Sequence, residues 1–264
     1  MDCEKKLYAI REVSEITGIK PVTLRAWQRR YNLVQPERTD KGHRLYTDEH
    51  IALIGNIQRW LNKGVPIGKV KKLLEENGEL GEPIESDQQQ LDELELLLNA
   101  LSALNKGKAE SIVSTVLKEY PLEIVDKQFI QPAYSALNVV RYALRVLQVG
   151  LLDSILISRL NSIIESENKA ARSGKCLVVS CDSSSNVSSR MWALRLSEEG
   201  RHIVIVDGID DFSGLIEHSG LLAFQTLGVF SSRPLNASQK GALEKVKQSF
   251  QGEFLTSEFV SVGS

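Results

Sequence analysis

A run of cationic and aromatic residues near the start of the chain has the types and spacing that binding of nucleic acid requires. The segment from Thr23 to Tyr46, TLRAWQRRYNLVQPERTDKGHRLY, carries six Lys or Arg side chains and four aromatic or imidazole rings. Lysine and arginine neutralise phosphates, and hydroxyl or imidazole groups can contact a phosphate or a base edge. The candidate DNA-binding residues are Lys20, Thr23, Arg25, Arg29, Arg30, Arg38, Lys41, His43 and Arg44.

The distribution of charge supports this interpretation for the front of the chain alone. The 264 residues carry a net charge of −2, but residues 1–78 carry +5 and the remainder −7. An asymmetry of this kind indicates a nucleic-acid partner for the basic part. The acidic remainder need not touch that partner.

Two short helices are predicted to position the first cations. Ile10, Val13 and Ile16 recur at helical spacing, and Gly18 permits a tight turn after them. Pro21 can open a second helix because its missing N–H costs nothing at the first helical position. Val22, Leu24 and Trp27 are its predicted apolar anchors. Helix, short glycine-containing turn and helix together make a helix-turn-helix.

A hairpin, or wing, is predicted between Pro36 and Tyr46, with its turn at residues 40–42. Tyr46 is expected to clamp the base of this wing, while Trp27 and Trp60 are expected to pack in the core. The next helix begins at Thr47 or Asp48, without a capping box, because His50 stands where such a box has glutamate or glutamine.

The rest of the chain predicts a multidomain α plus α/β protein. Leucines at three and four residue spacing from residue 91 onward predict a four-helix bundle, and after residue 174 buried strands alternate with helices. That alternation predicts a small Rossmann-like, or flavodoxin-like, parallel sheet of about four strands. The predicted divisions are residues 1–78 for the winged helix-turn-helix, 79–88 for a linker, 89–173 for the bundle and 174–264 for the α/β domain.

The motifs of the basic segment resemble the DNA-binding domain of the MerR family of bacterial transcription regulators. They are Thr-Leu-Arg at residue 23, Pro-x-Arg at residue 36 and Gly-x-Arg-x-Tyr at residue 42. Most of the family has tyrosine at the position of Trp27. A tryptophan there resembles the branch of the family that contains cobalamin-dependent light sensors. The resemblance implies that Thr23, Arg25 and Arg29 face DNA and that Arg38, His43 and Arg44 belong to the wing. It also implies a homodimer that acts on RNA polymerase indirectly, by distorting promoter DNA.

Cobalamin is not an expected cofactor, although the order of bundle and α/β domain resembles that branch. The family loop Asp/Glu-x-His-x-x-Gly aligns here with Ser184, Asn186 and Ser189, so the cobalt-ligating histidine is missing. The chain also has no histidine between His50 and His202 to cover the upper face of the cofactor. Asp182, Ser184, Asn186 and Ser189 remain a candidate ligand or partner loop, with helix capping as the alternative.

Three classes of function stay open from the residues. The first is a cytoplasmic DNA-binding transcription regulator, with activation and repression both open. The second is a sensor of cobalamin or another small ligand, or a protein that docks a regulatory partner. An enzyme is the third and is not expected, since no paired carboxylates, activated nucleophile or metal cluster is evident. Three sparse cysteines indicate inert thiols in a reducing compartment, and neither a membrane span nor a secretory signal is expected.

Overall fold

A computed structural model describes residues 6–39, 42–77 and 90–261. The chain divides into two compact units, Met1–Leu151 and Leu152–Ser264. This division lies inside a long helix, whereas the sequence analysis placed a boundary at residue 173. The predicted four-part organisation stays a prediction.

The front of the first unit consists of helices and a three-stranded antiparallel sheet. Its elements are β1 (Tyr8–Ala9), α1 (Ile10–Thr17), α2 (Pro21–Ala26), a π-helical turn (Trp27–Tyr31), β2 (Glu37–Arg38), β3 (Arg44–Tyr46), α3 (Asp48–Asn62) and α4 (Ile67–Asn77). The strand order is β1-β3-β2, so the predicted hairpin gains a third strand from residues before α1. Gly18 ends α1 with a φ of 71°, a left-handed conformation that suits glycine.

The α1–turn–α2 pair is held by fewer apolar anchors than its sequence predicted. Val13, Leu24 and Trp27 are buried, whereas Ile16 and Val22 are exposed. Val22 was therefore predicted wrongly as an anchor. The reason is the rotation of α2, which packs against α6 (Lys106–Glu119) and thereby turns Thr23, Leu24 and Trp27 inward. Trp60 and Tyr46 are buried as expected.

Helix α3 begins with a capping box, contrary to the sequence analysis. The Thr47 hydroxyl accepts a hydrogen bond from the His50 amide at 3.3 Å, and Nδ1 of His50 accepts one from the Thr47 amide at 3.1 Å. Nδ1 of His50 thus takes the place of the glutamate or glutamine oxygen that usually accepts from the N-cap amide in a capping box.

Replacing Thr47 by alanine should lower the free energy of unfolding by about 1 kcal/mol, because one first-turn amide loses its acceptor. Urea denaturation followed by circular dichroism measures the change. His50→Gln is the matched control and should be close to neutral, since glutamine can accept the same bond. A His50→Gln variant as unstable as Thr47→Ala would contradict the reciprocal cap.

The helical part of the first unit is described from residue 90 onward. It comprises α5 (Glu93–Ser102), α6, α7 (Leu122–Val125), a π-helical turn (Asp126–Ile130) and α8 (Gln131–Asn138), after which α9 (Tyr142–Asn168) begins. Helix α5 packs against α6 and α8. Pro132 cannot donate to the carbonyl of Gln128, and that oxygen instead accepts from the Leu91 amide at 3.1 Å. A closed four-helix bundle with α9 as its fourth member stays a prediction.

The second unit contains a four-stranded parallel sheet in the order β5-β4-β6-β7. Its elements are β4 (Lys175–Ser180), α10 (Val187–Glu198), β5 (His202–Val206), β6 (Thr226–Phe230), α11 (Ala237–Ser249), β7 (Glu253–Thr256) and α12 (Glu258–Ser261). This order agrees with a flavodoxin-like sheet.

Three segments of the second unit differ from what their sequence predicts. Residues 211–218 are predicted as a helix but hold only the 3₁₀ turn Ser213–Leu215, and residues 252–260 are predicted as a strand, which ends at Thr256 before α12. Residues 221–230 are predicted as one strand, but Ser219–Ala223 is a second 3₁₀ turn and β6 begins at Thr226. In the first case the Asp211 carboxylate accepts from the Ser213 amide, which favours a tight turn. In the second, the Ser257 carbonyl accepts from the Val260 amide and starts a helical turn.

No helix within the described residues is long and apolar enough to cross a membrane.

Candidate nucleic-acid interface

Helix α2 and the π-helical turn present two arginines on the side opposite their buried anchors. Pro21 stands at the start of the helix, and Asn32, with a φ of 53°, ends the π-helical turn. Leu24 and Trp27 are 1% and 0% exposed, whereas Arg25 and Arg29 are exposed. Because the arginines are four residues apart, they lie one turn above each other on one face.

The hairpin adds two more arginines to this face. Nε of Arg44 donates a hydrogen bond to Oε1 of Gln28 at 2.7 Å, which joins β3 to the π-helical turn. The pKa of Arg44 lies below its ordinary value, first because the side chain is partly buried and then because Arg38, Arg25 and Arg29 are close enough to repel it. Arg38 is the partner of Arg44 across the hairpin, and the bond to Gln28 brings Arg44 beside the helical segment that carries Arg25 and Arg29. We call Arg25, Arg29, Arg38 and Arg44 the cationic surface.

A cationic surface of this kind suits a polyanion. Arg44 and the arginines that repel it gain when phosphates come between them, and each guanidinium group offers a planar fork of donors to phosphate oxygens. The arrangement can bind two or more phosphates along a helix and a hairpin at once.

The remaining hairpin residues flank this surface. His43 is exposed next to Gly42, whose φ is 78°, and Lys41 lies outside the described residues. The ring of Tyr46 meets that of His50 edge to face, with 6.0 Å between centroids. Lys20 is half-buried immediately before α2.

Thr23 and Arg30 do not share the cationic surface, which corrects their predicted placement. Thr23, Trp27 and Arg30 follow one another at spacings of four and three residues, so they share one face of α2 and the π-helical turn. That face is turned towards α6. Thr23 is 2% exposed, so its hydroxyl is not available to a phosphate in this conformation. The Arg30 guanidinium donates to the carboxylate of Glu119.

Glu119 is a residue that the sequence analysis missed. Its side chain is 1% exposed, its carboxylate accepts from Arg30 and from the Tyr31 hydroxyl, and its carbonyl accepts from Nε1 of Trp27 at 2.7 Å. Burial raises the pKa of Tyr31, so the hydroxyl keeps its proton and remains a donor. We call Trp27, Arg30, Tyr31 and Glu119 the α6 joint. The sequence around Glu119 gives no sign of its contact with Tyr31, because the two residues are 88 positions apart in the chain.

Side chains of the candidate ligand loop in the α/β unit form hydrogen bonds with other groups of the same unit. Oδ1 of Asn186 accepts from the Ser189 amide at 2.9 Å, which makes Asn186 the cap of α10, and Ser189 is fully buried. Both oxygens of Asp182 accept from Ser232, at 2.8 and 2.9 Å. Ser184 stays exposed, and its carbonyl accepts from Arg190. These contacts support helix capping as the role of Asn186 and Ser189.

A buried ion pair closes the neighbouring strand end. Arg190 binds both oxygens of Asp207, at 2.8 and 2.7 Å, and is 4% exposed. The loops after β4 and β5 thus hold hydroxyls, amides and a paired carboxylate, with no imidazole at the position that would ligate cobalt. The residues present do not fit a histidine-ligated cobalamin. Among the described residues, no group of three His, Cys, Asp or Glu is arranged to hold a metal ion.

The two cysteines of the α/β unit should react slowly with alkylating reagents. Burial raises the pKa of Cys176 and of Cys181 to about 11, so both stay thiols near neutral pH and the thiolate forms as pH rises towards that value. In a Cys3→Ser background, iodoacetamide uptake followed by mass spectrometry should be slow at pH 7 and accelerate with pH. Rapid labelling of the native protein at pH 7 would contradict the thiol assignment, and a urea-unfolded sample is the reactive control.

The fold and site together define a helix-turn-helix protein with an arginine-rich hairpin beside its second helix. Residues 8–77 match the model of the MerR HTH family regulatory proteins. These residues are therefore a MerR-family helix-turn-helix domain, as their motifs predicted.

Curated relatives refine this assignment. The chain is 37% identical over 163 residues to the HTH-type transcriptional regulator MlrA of Salmonella typhimurium and 36% identical to MlrA of Escherichia coli. Both matches cover 62% of this chain and 65% of the relative, so the chain spans about two thirds of the length of these regulators. The HTH-type transcriptional repressor CarH of Myxococcus xanthus is 37% identical over 70 residues, which are 26% of this chain and 23% of the repressor. These matches are consistent with the predicted branch.

Proposed function

We propose that this protein is a DNA-binding transcription regulator that contacts promoter DNA through α2, the π-helical turn and the β2–β3 hairpin. The observation that carries the proposal is the gathering of Arg25, Arg29, Arg38 and Arg44 around the Gln28–Arg44 hydrogen bond. The MerR-family match of residues 8–77 and the names of the relatives support it.

In this proposal the helix and the hairpin contact different parts of the DNA. The exposed side of α2 enters the major groove, and the hairpin acts as a wing whose Arg38 and Arg44 hold phosphates. His43 at the hairpin tip is placed for a minor-groove contact. Arg25 and Arg29 hold phosphates or guanine edges on the helix side.

The protein acts as a homodimer in the cytoplasm on a promoter with two-fold symmetry, because most operators mirror the symmetry of their regulator. Its effect on RNA polymerase is indirect, through distortion of the promoter, and flexible pyrimidine–purine steps would lower the cost of that distortion. The part from residue 89 onward provides dimerisation or signal input. A small ligand or a regulatory protein partner is an alternative source of that input, and the sequence predicts Asp182, Ser184, Asn186 and Ser189 as its loop residues.

Selection from a pool of random DNA duplexes tests the proposal. The full chain should enrich a site with two related half-sites, and its affinity should fall steeply with salt because phosphate contacts release counterions. DNA from the region upstream of the protein's own coding sequence then serves for footprinting. A protein that enriches no sequence and binds DNA no better than an acidic control protein would refute the function.

A further inference from the structure

A cavity of about 550 Å³ opens in the α/β unit beside the amino ends of β6 and β7. It is lined by residues 217–225, which precede β6, and by residues 249–252, which connect α11 to β7. Its volume lies within the range of roughly 300–1,000 Å³ that is typical of small-molecule sites. Because the strands are parallel, the candidate ligand loop after β4 lies at the opposite edge of the sheet. We call this space the amino-end cavity.

The cavity opens where the crossover from β5 to β6 forms turns and no long helix. Between these strands the described chain makes the 3₁₀ turns Ser213–Leu215 and Ser219–Ala223. Leu221 of the second turn joins the buried apolar cluster that contains Leu243 and Val246 of α11. A crossover helix would cover this face of the sheet with a continuous row of side chains. Two short turns leave a space beside the end of α11.

Flat and apolar side chains form one part of the lining. Phe224 and Phe250 are half-buried, and Leu222 is 81% exposed beside them. At Gly252 an added Cβ would lie 2.3 Å from the carbonyl oxygen of Gln225 and 2.8 Å from the Phe250 ring. The missing side chain at Gly252 thus allows the Phe250 ring to lie against the start of β7. Phenyl rings in such a lining favour a flat aromatic ligand.

The polar groups near the end of α11 are acceptors, and one of them is ionised. Glu217 is exposed, and its carboxylate has no hydrogen-bond or ion-pair partner among the described residues. Its φ of 54° costs a residue other than glycine about 1 kcal/mol. The Ser249 hydroxyl donates to the Val246 carbonyl at 3.0 Å, so its oxygen can accept. The last carbonyls of α11 add a partial negative charge.

Two side chains of the lining provide donors. Nδ1 of His218 accepts from the Gly220 amide at 3.0 Å, so the neutral ring carries its proton on Nε2. Oε1 of Gln225 accepts from the Lys175 amide at 2.7 Å, which leaves its N–H groups as donors. Neither donor is ionised, whereas Glu217 is. The charge of the lining therefore suits a ligand with N–H groups and opposes an anion.

We propose that the amino-end cavity binds a flat aromatic heterocycle. The N–H groups of this ligand donate to Glu217 and to the end of α11, and its ring lies against Phe224 and Phe250. A ring nitrogen accepts from His218 or Gln225. The site goes beyond the proposed function, and its test uses no DNA.

Titration of the full chain with 2-aminobenzimidazole, followed by saturation-transfer NMR, tests the proposal. This probe combines a flat ring with N–H donors and a ring nitrogen. Benzimidazole-2-carboxylate has the same ring with an anionic group and should bind at least about tenfold more weakly, because its carboxylate meets that of Glu217. No binding of 2-aminobenzimidazole at millimolar concentration, or equal binding of the two probes, would overturn the site.

Substitutions and methyl signals locate the bound probe. Glu217→Gln should weaken binding of 2-aminobenzimidazole about tenfold, because the charge-assisted bond is lost. Glu244→Gln is the matched control, since Glu244 is exposed on α11 outside the lining, and it should bind like the wild type. The methyl signals of Leu222 should shift on binding, whereas those of Leu104, 52% exposed in the first unit, should not. Unchanged affinity in Glu217→Gln, or shifts at Leu104 without shifts at Leu222, would refute the assignment.

Discussion

Arg29→Ala combined with Arg44→Ala should weaken binding to the selected DNA site by at least roughly thirtyfold at physiological salt. Each arginine contributes a charge-assisted contact of about 1–3 kcal/mol to phosphate or base edge, and the two lie on different elements of the same surface. The plot of log affinity against log salt should flatten by about two units, because two fewer counterions are released. Fluorescence anisotropy at several salt concentrations measures both quantities.

Two further variants control this prediction. Lys108→Ala removes an exposed cation from α6, away from the cationic surface, and should leave both affinity and salt slope unchanged. Gln28→Ala keeps all four arginines and removes the bond that fixes Arg44. It should lower affinity less than the double variant and leave the slope nearly intact. A folded double variant that binds as the wild type does would refute the assignment of the DNA-binding residues.

Glu119→Gln should lower the free energy of unfolding by about 1–2 kcal/mol in the wild type and raise it in an Arg30→Ala background. In the wild type the carboxylate pairs with Arg30 and accepts from Tyr31, so its neutralisation weakens two contacts. Without Arg30, a carboxylate that is 1% exposed has lost its ion-pair partner, and a neutral amide of the same size costs less to bury. Arg30→Ala alone should lower the free energy of unfolding by about 2–4 kcal/mol. The lower end of this range is expected, because the guanidinium is 52% exposed and water already solvates it.

Urea denaturation of the four proteins measures this cycle. Trp192→Phe is introduced throughout, so that tryptophan fluorescence reports Trp27 and Trp60 in the first unit. The exposed pair Lys127–Glu123 provides the control, since both side chains are 66% exposed and Glu123→Gln should change stability by less than about 0.5 kcal/mol. A Glu119→Gln substitution that destabilises both backgrounds equally would exclude the ion pair as the source of the effect.

The α6 joint also connects α2 and the π-helical turn to the helical segment behind them. Trp27, Arg30 and Tyr31 belong to the π-helical turn that carries Arg29, and Glu119 ends α6. Two further hydrogen bonds join α3 and α4 to residues that follow α6. The Ile67 amide donates to the Tyr120 hydroxyl at 3.4 Å, and Nε2 of Gln128 donates to the Leu61 carbonyl at 2.9 Å.

Much of the fold could be predicted because local rules decide it. Gly18 and Pro21 mark the end of one helix and the start of the next, and the alternation of buried strands with helices predicts the parallel sheet. The candidate DNA-binding residues likewise follow from cation spacing on short elements. Four of them, Arg25, Arg29, Arg38 and Arg44, meet in the structure because α2 and the hairpin are close in the chain.

What could not be predicted depends on contacts between distant residues. Helical spacing fixes which residues share a face but not which face meets a neighbour, so the burial of Thr23 and the exposure of Val22 were decided when α2 packed on α6. The same packing buried Glu119, an acid that local rules leave in solvent, and gave it Arg30. Residue type and spacing thus determined the elements and their charge, while tertiary packing decided which cations stay clear of other groups of the chain, because the Arg30 guanidinium donates to a carboxylate that only the packing of α6 brings near it.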